Sequence, residues 1–348
     1  MALTGEAAVR IVLLVLVLVL PLLATPATAQ PRPVPVIYDS DLDVDDASTL
    51  AYLCVQHQRH RIDLRAVTVA DNGFGVPGRT RQHALSVLAE CGLPDVPVAE
   101  GAEPGVHAAP ASAVRDMETV LTAALGDAGR TPPPATLTAA QLIRRTLAEA
   151  PGQVTVLATG PLSNLARAVP PGSPVARKIG EVHVMGGAVS VPGNLFGEAL
   201  PGFDNTQELN VWLDPASARQ VFRSLPVVLT PLDATDQVPI RQAYVDRIGA
   251  EGTTASAGTV HRIMTHPVLR DGIALGIFYW WDALAAVAAF GDPRVVTGVR
   301  PVRLDVVQDG PQSGRTRPDA RGAKVIAASG ADPGRFEEVF LAGLNGSQ

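Results

Sequence analysis

Five aspartates crowd into eight residues of this chain, at Asp39, Asp41, Asp43, Asp45 and Asp46. Carboxylates packed so closely repel, and each has its pKa pushed up unless something compensates. Two compensators suit the pattern: a hard cation such as Ca²⁺ or Mg²⁺, which takes oxygen ligands, and the positive end of a following helix. The competing role for Asp41, Asp45 and Asp46 is helix N-capping, but a single cap needs one aspartate, not three. An EF-hand would use Asp39, Asp41 and Asp43, yet it requires Gly at its sixth position and Glu at its twelfth. Val44 and Leu50 stand there, so that site is excluded. A haloacid-dehalogenase-like phosphatase also begins with a strand and D-x-D. It continues with Gly, where this chain has Leu42 and Asp43, and needs a later lysine, for which only Lys178 and Lys324 are available.

The elements around the aspartates give them a stage. The apolar run Val34 to Tyr38 reads as a strand, and Ala47 to Gln56 as a helix, which puts the carboxylates at the strand's C-terminal end. Ile62 to Ala70 is a second strand closed by Asp71-Asn72-Gly73. A helix from about Thr80 to Glu90 and a short strand, Val96 to Ala99, follow. Residues 103–135, rich in Ala, Pro and Gly, read as an irregular insertion. Thr138 to Ala150 is a helix, Thr155 to Ala158 a strand, Leu165 to Val169 a helix, and Glu181 to Met185 a strand closed by Gly186-Gly187. A loop at 189–207 leads to Glu208-Leu209-Asn210 and a helix from Pro215. Pro226 to Leu232 is strand-like, 236–253 helical, and Ile273 to Phe290 one long helix carrying Trp281 and Asp282. A strand pair near 302–307 and 323–327 precedes a closing helix, Asp332 to Leu344. Strands alternating with helices argue for one large α/β domain on a mostly parallel sheet.

Composition bounds the partners. Hydrophobic residues make up 47% of 348, enough for a sizeable core, and the net charge of −6 argues against nucleic acid or an anionic membrane. Residues 1–29 have the pattern of a cleaved secretory signal: Arg10, an apolar run from Ile11 to Ala24, then Ala27-Thr28-Ala29. That run is shorter than the roughly 20 residues of a membrane span. The expected product is a protein of residues 30–348, exported to the periplasm or outside the cell and free of the membrane. Export permits a Cys54–Cys91 bridge, though two buried thiols are the expectation. His83, His183, His261 and His266 lack metal-ligand spacing and are expected on the surface or in the core.

The D-x-D-x-x-x-D-D-A pattern at Asp39 to Ala47 resembles the opening of the inosine–uridine-preferring nucleoside hydrolase family. Further stations follow in order: Val67 to Asn72, Asp95-Val96-Pro97-Val98 with Gly101, and Thr159-Gly160-Pro161-Leu162-Ser163-Asn164-Leu165-Ala166. Met185-Gly186-Gly187, Asn194, Glu208-Leu209-Asn210, Asp214-Pro215 and Trp281-Asp282 complete the set, so the resemblance runs from about Val34 to Asp292. It implies a single nucleoside hydrolase-like domain with a Rossmann-like core, a nucleoside as small-molecule substrate, and a homo-oligomer. It also implies one Ca²⁺ held by Asp41, Asp46, Asp282 and the Thr159 carbonyl, with Asp41 as general base. Asp45, Asn72, Asn194, Glu208 and Asn210 would grip the ribose, Asp39 would orient a neighbour, and Asp43 receives no role. Asn164 ties a turn together.

Two departures stand out. Trp281 replaces the histidine that many members place before the last aspartate; an indole is no general acid at neutral pH, but it can stack on a purine. The expectation is therefore purine preference, against the plainer reading of a core tryptophan beside Tyr279 and Trp280. The family's H-G-x-x-G-L-G loop is replaced by Gly105-Val106-His107-Ala108, so the resemblance assigns no substrate lid there. A nucleoside- or sugar-binding protein without turnover is the alternative from another class.

Overall fold

The computed structural model describes residues 32–101, 105–195 and 201–347; the expected secretory signal lies outside them. Eleven strands form among the described residues: β1 Val34–Ser40, β2 Ile62–Ala70, β3 Val98–Gly101, β4 Val154–Ala158, β5 Ile179–Met185, β6 Val227–Thr230, β7 Val296–Thr297, β8 Arg300–Val306, β9 Thr316–Pro318, β10 Ala323–Ala327 and β11 Gly330–Ala331. Nine make one sheet in the order β3-β2-β1-β4-β5-β6-β10-β8-β9, and β11 pairs with β7 apart from it. Strands β3 to β10 in that order run parallel, and β8 and β9 close the edge antiparallel. This is the α/β architecture the alternation of elements predicts.

Position in the sheet explains why β1 is so apolar. It is a central strand flanked by β2 and β4, covered on both faces, and such strands read as continuous hydrophobic runs. Alternate side chains serve the two faces: Val36 and Tyr38 enter one core and Ile37 the other. The helices are α1 Val44–Gln58, α2 Arg79–Glu90, α3 Ala111–Leu125, α4 Ala139–Glu149, α5 Ser163–Ala168, α6 Leu209–Leu213 and α7 Pro215–Ser224. They continue with α8 Leu232–Thr235, α9 Gln242–Glu251, α10 Ala255–Met264, α11 Pro267–Leu275, α12 Trp281–Phe290 and α13 Pro333–Leu344. One core joins α1 to α2, α3, α9, α10, α12 and α13; the other joins α4, α5 and α7.

Four expectations need correction. Residues 103–135 contain a regular helix, α3, which buries Met117, Val120, Leu121 and Leu125; the i, i+3, i+4, i+8 spacing was present but masked by flanking Ala and Pro. The long helix at 273–290 is two helices. Gly276, at φ +70°, ends α11, and an extended link follows in which Phe278 and Trp280 exchange backbone hydrogen bonds with Ile240 and Val238. The helix expected over 236–253 begins only at Gln242. Finally, Cys54 and Cys91 are bonded, stapling α1 to the end of α2.

Candidate active site

The acidic loop is a strand-to-helix turn. Leu42 adopts a left-handed conformation, φ +51°, which is uncommon for a non-glycine residue and clusters at functional sites. That turn lets Asp43 cap α1: its carboxylate accepts from the Asp45 and Asp46 backbone N–H groups while the Asp46 carboxylate accepts from Asp43 N–H. Such a cap contributes about 1 kcal/mol. It is the role the sequence left unassigned.

The other carboxylates are held from several elements. Asp46 Oδ1 accepts from the Tyr38 hydroxyl (2.7 Å) and the Thr159 hydroxyl (2.5 Å). Asp41 Oδ2 accepts from Phe74 N–H at 2.6 Å, while burial and then the neighbouring Asp46 charge push its carboxyl up. Glycine is required on both sides of Asp41, because a Cβ on Gly73 would overlap its carboxylate and one on Gly160 its backbone. Asp39 Oδ1 accepts from Thr68 Oγ1 (2.7 Å) and Asn164 Nδ2 (2.9 Å). Asp39 thus ties the turn at Asn164 to the centre of the sheet. Asp45 Oδ2 accepts from the backbone N–H of Asp282 at 2.6 Å, so it caps the start of α12 rather than lining the cleft.

The break before Trp281 places Asp282 in the first turn of α12, not in mid-helix. One carboxylate oxygen each from Asp43, Asp46 and Asp282 lie within 4.8 Å of one another. Burial is the main cause that pushes these acids up: Asp39 and Asp43 rise to about 7, and Asp41, Asp45 and Asp282 well above the usual carboxylate range. For Asp282 the further causes are all like charges, from Asp46, Asp45, Asp43 and Asp41. Asp39 Oδ2 and Asp45 Oδ1 are buried without a hydrogen-bond donor. This concentration of uncompensated oxygen donors fits a hard divalent cation.

A cleft opens over the acids. It is lined by Asp41, Asp43, Thr159, Asn194, Glu208, Asn210 and Asp282 on its polar side and by Phe74, Met185, Leu209 and Trp281 on its apolar side. Glu208 is fixed as the cap of α6, accepting from Gly187, Asn210 and Val211 N–H groups. Burial raises its carboxyl, and those backbone donors oppose the rise. Asn210 Nδ2 donates to the Thr159 carbonyl at 2.8 Å, and Asn194 Oδ1 accepts from Leu209 N–H.

The expected residues are therefore gathered, with exceptions. Asp41, Thr159, Asn194, Glu208, Asn210, Trp281 and Asp282 meet in the cleft, and Asp46 lies behind them. Asp45 and Asn72 do not line it; Asn72 Nδ2 donates to Ser163 Oγ at 2.8 Å. Met185 and Leu209 belong to stations the resemblance named but received no role there, and Phe74 was missed, since an apolar loop residue carries no sequence signal of a pocket. The phosphatase alternative loses its lysine: Lys178 donates to the Ala150 carbonyl, Lys324 stands in β10, and neither borders the cleft.

Fold and acidic cleft together define a class, and sequence comparison gives it a family. The pattern of the inosine-uridine preferring nucleoside hydrolase family matches residues 36–338, and the chain belongs to that family. The pyrimidine-specific ribonucleoside hydrolase RihA of Citrobacter koseri is 32% identical over 204 residues, covering 56% of this chain and 60% of that protein. Its namesake in Salmonella enteritidis is 29% identical over 221 residues, covering 61% and 64%. The chain thus matches about three-fifths of the length of these relatives. Among solved structures, an inosine-uridine preferring nucleoside hydrolase from Bacillus anthracis superposes with a TM-score of 0.78 at 22% identity, covering 90% of this chain and 99% of that one. A purine-preferring ribonucleoside hydrolase from Gardnerella vaginalis gives 0.70 at 23%, covering 90% and 98%. These likenesses establish a shared fold.

Proposed function

We propose that this protein is a Ca²⁺-dependent nucleoside N-ribohydrolase that releases free base and ribose, with a preference for purine nucleosides. The observation that carries the proposal is the group of buried carboxylates facing Glu208, Asn194 and Asn210 across one cleft in a chain of this family. Asp46 and Asp282, with Asp43 or Asp41 and the Thr159 carbonyl, are the oxygen donors that would hold the cation. When bound, the cation lowers the pKa of a water and offers coordination to hydroxyl groups.

The protein's own groups do the rest. Asp41, positioned by Phe74 N–H and set in place by two glycines, is the base that takes the proton from the attacking water. Breaking the N-glycosidic bond builds positive charge at the sugar C1′, and the carboxylates of Asp282 and Glu208, both lining the cleft, stabilise it electrostatically. Asn194 and Asn210 orient the ribose hydroxyls. Trp281 offers its indole face to the leaving base, braced by Tyr279 at 5.4 Å and Phe278 at 6.5 Å between ring centroids.

Relatives named pyrimidine-specific favour a second reading, pyrimidine preference on the same scaffold. Ribose release from inosine, adenosine, uridine and cytidine, with Ca²⁺ and with chelator, separates the readings. Faster cleavage of inosine than uridine supports the purine proposal, and the reverse order overturns it. Binding of every nucleoside without ribose release would leave only a binding protein. In this reading the enzyme works outside the cytoplasm, where the Cys54–Cys91 disulfide persists.

A further inference from the structure

A second cavity, of about 470 Å³, lies between α4 and the β1–β2–β3 edge of the sheet. It shares no lining residue with the acidic cleft. Pro35 and Val98, at the starts of β1 and β3, border it, whereas the cleft forms where β1 ends. Three arginines line it, Arg65, Arg81 and Arg145, over an apolar floor that includes Leu85, Leu137 and Leu142.

Arg81 is the unusual member. It is 8% exposed, and its hydrogen bonds run to two backbone carbonyls, Val98 O at 3.1 Å and Pro133 O at 2.5 Å. Among the described residues no carboxylate pairs with it. Buried charges in proteins are ordinarily paired, because an uncompensated one costs several kcal/mol. The acids on the rim do not fill this role. Glu149 is exposed and paired with Arg145, and Asp95 is exposed to solvent. Arg65 and Arg145 are held by exposed ion pairs, to Asp63 and Glu149, and such pairs are weak enough to exchange for a better partner.

We propose that this cavity is a binding site for a small organic anion, with its carboxylate or phosphate on Arg81, Arg65 and Arg145 and an apolar body on the Leu85–Leu137–Leu142 floor. A planar oxyanion suits a guanidinium fork, which offers paired N–H donors. The site is separate from nucleoside cleavage, so a ligand here and a nucleoside in the cleft bind without competing.

Calorimetric titration and thermal melting of the Ca²⁺-loaded protein, in a buffer free of phosphate and carboxylates, test this with phenyl phosphate, benzoate and benzyl alcohol. At least one of the two anions binds once per chain and raises the melting temperature by about 2 °C or more at saturating concentration, while benzyl alcohol does neither. The responding anion distinguishes a phosphate from a carboxylate site. Arg81→Met weakens binding at least about tenfold. Thr146→Tyr, which fills the cavity and leaves the Arg81 bonds to Val98 and Pro133 in place, weakens it as much. If neither anion binds, if Thr146→Tyr leaves the affinity unchanged, or if inosine displaces the anion, the site does not exist as proposed.

Discussion

Replacing Asp282 by Asn should change stability in opposite directions with and without the cation. In the metal-free protein Asp282 meets only like charges. Its oxygen lies within 4.8 Å of oxygens from Asp43 and Asp46, where two full charges repel by about 3.5 kcal/mol at an effective dielectric of about 20. A carboxyl escapes part of this by keeping its proton, so about 1–2 kcal/mol of relief should remain at pH 7.5. The chelated variant should therefore melt about 2–6 °C above the chelated parent. With Ca²⁺ at about a hundredfold its dissociation constant, the parent gains about 2.7 kcal/mol, and the variant loses most of that gain. Ribose release should fall by at least about a hundredfold. Scanning calorimetry with chelator and with Ca²⁺, alongside a reducing-sugar assay, reads all three. If the chelated variant is less stable than the parent and still responds fully to Ca²⁺, the acids are not an uncompensated cation site and the reasoning fails.

Other outcomes follow from the same geometry. Asp39 and Asp43 have folded-state pKa values raised to about 7, so the folded chain holds protons that the unfolded chain releases at lower pH; their stability contribution is present below about pH 4 and lost as pH rises through about 7. The chelated protein should thus melt higher at pH 5.5 than at pH 8, and Asp39→Asn should flatten that slope; melting profiles across pH check both. Trp281→Ala should lower kcat/KM for inosine about tenfold to a hundredfold and for uridine much less, because stacking of this kind is worth about 1–3 kcal/mol; steady-state kinetics on the two nucleosides decide it. Reducing the Cys54–Cys91 bond, which spans 37 residues, should cost about 4 kcal/mol on chain-entropy grounds, seen as a lower melting temperature in reductant. Asn210→Ala should raise KM for nucleosides and free the Thr159 carbonyl, a change that Ca²⁺ titration of the variant would register.

Local patterning made much of this molecule readable. The run Val34 to Tyr38 announced a doubly covered strand, because continuous apolar runs survive at the centre of such a sheet, and Ile62 to Ala70 formed over the predicted span, its β-branched residues outweighing Asp63 and Arg65. The gathering of Asp41, Asp46, Thr159 and Asp282 followed from resemblance, since no local rule brings residues 113 and more positions apart into contact. What escaped reading was conformational. Gly276 is a possible helix stop, but nothing in the order of residues 273–290 shows that β-type pairing to 238–240 would hold the next four residues extended. The fates of Asp43 and Asp45 depend on caps whose donors exist only once α1 and α12 have formed. The disulfide, which the sequence allowed but did not favour, was undecided for the same reason: Cys54 in α1 and Cys91 at the end of α2 meet through packing, not spacing.

The Asp45 bond to the start of α12 crosses 237 residues of chain, and this sets the order in which the protein can be made. At about 5–20 residues per second of synthesis, the acidic loop leaves the ribosome about 10–50 s before Asp282 exists. Through that interval Asp45 lacks the backbone N–H that later donates to it, so drying the loop early would bury its charge unpartnered. Docking of α12 is then the step that expels water from the loop, and its rate should depend on dissolved divalent ions more than that of any earlier event. A cation in the folding medium would act on the protein's birth as well as on its later work.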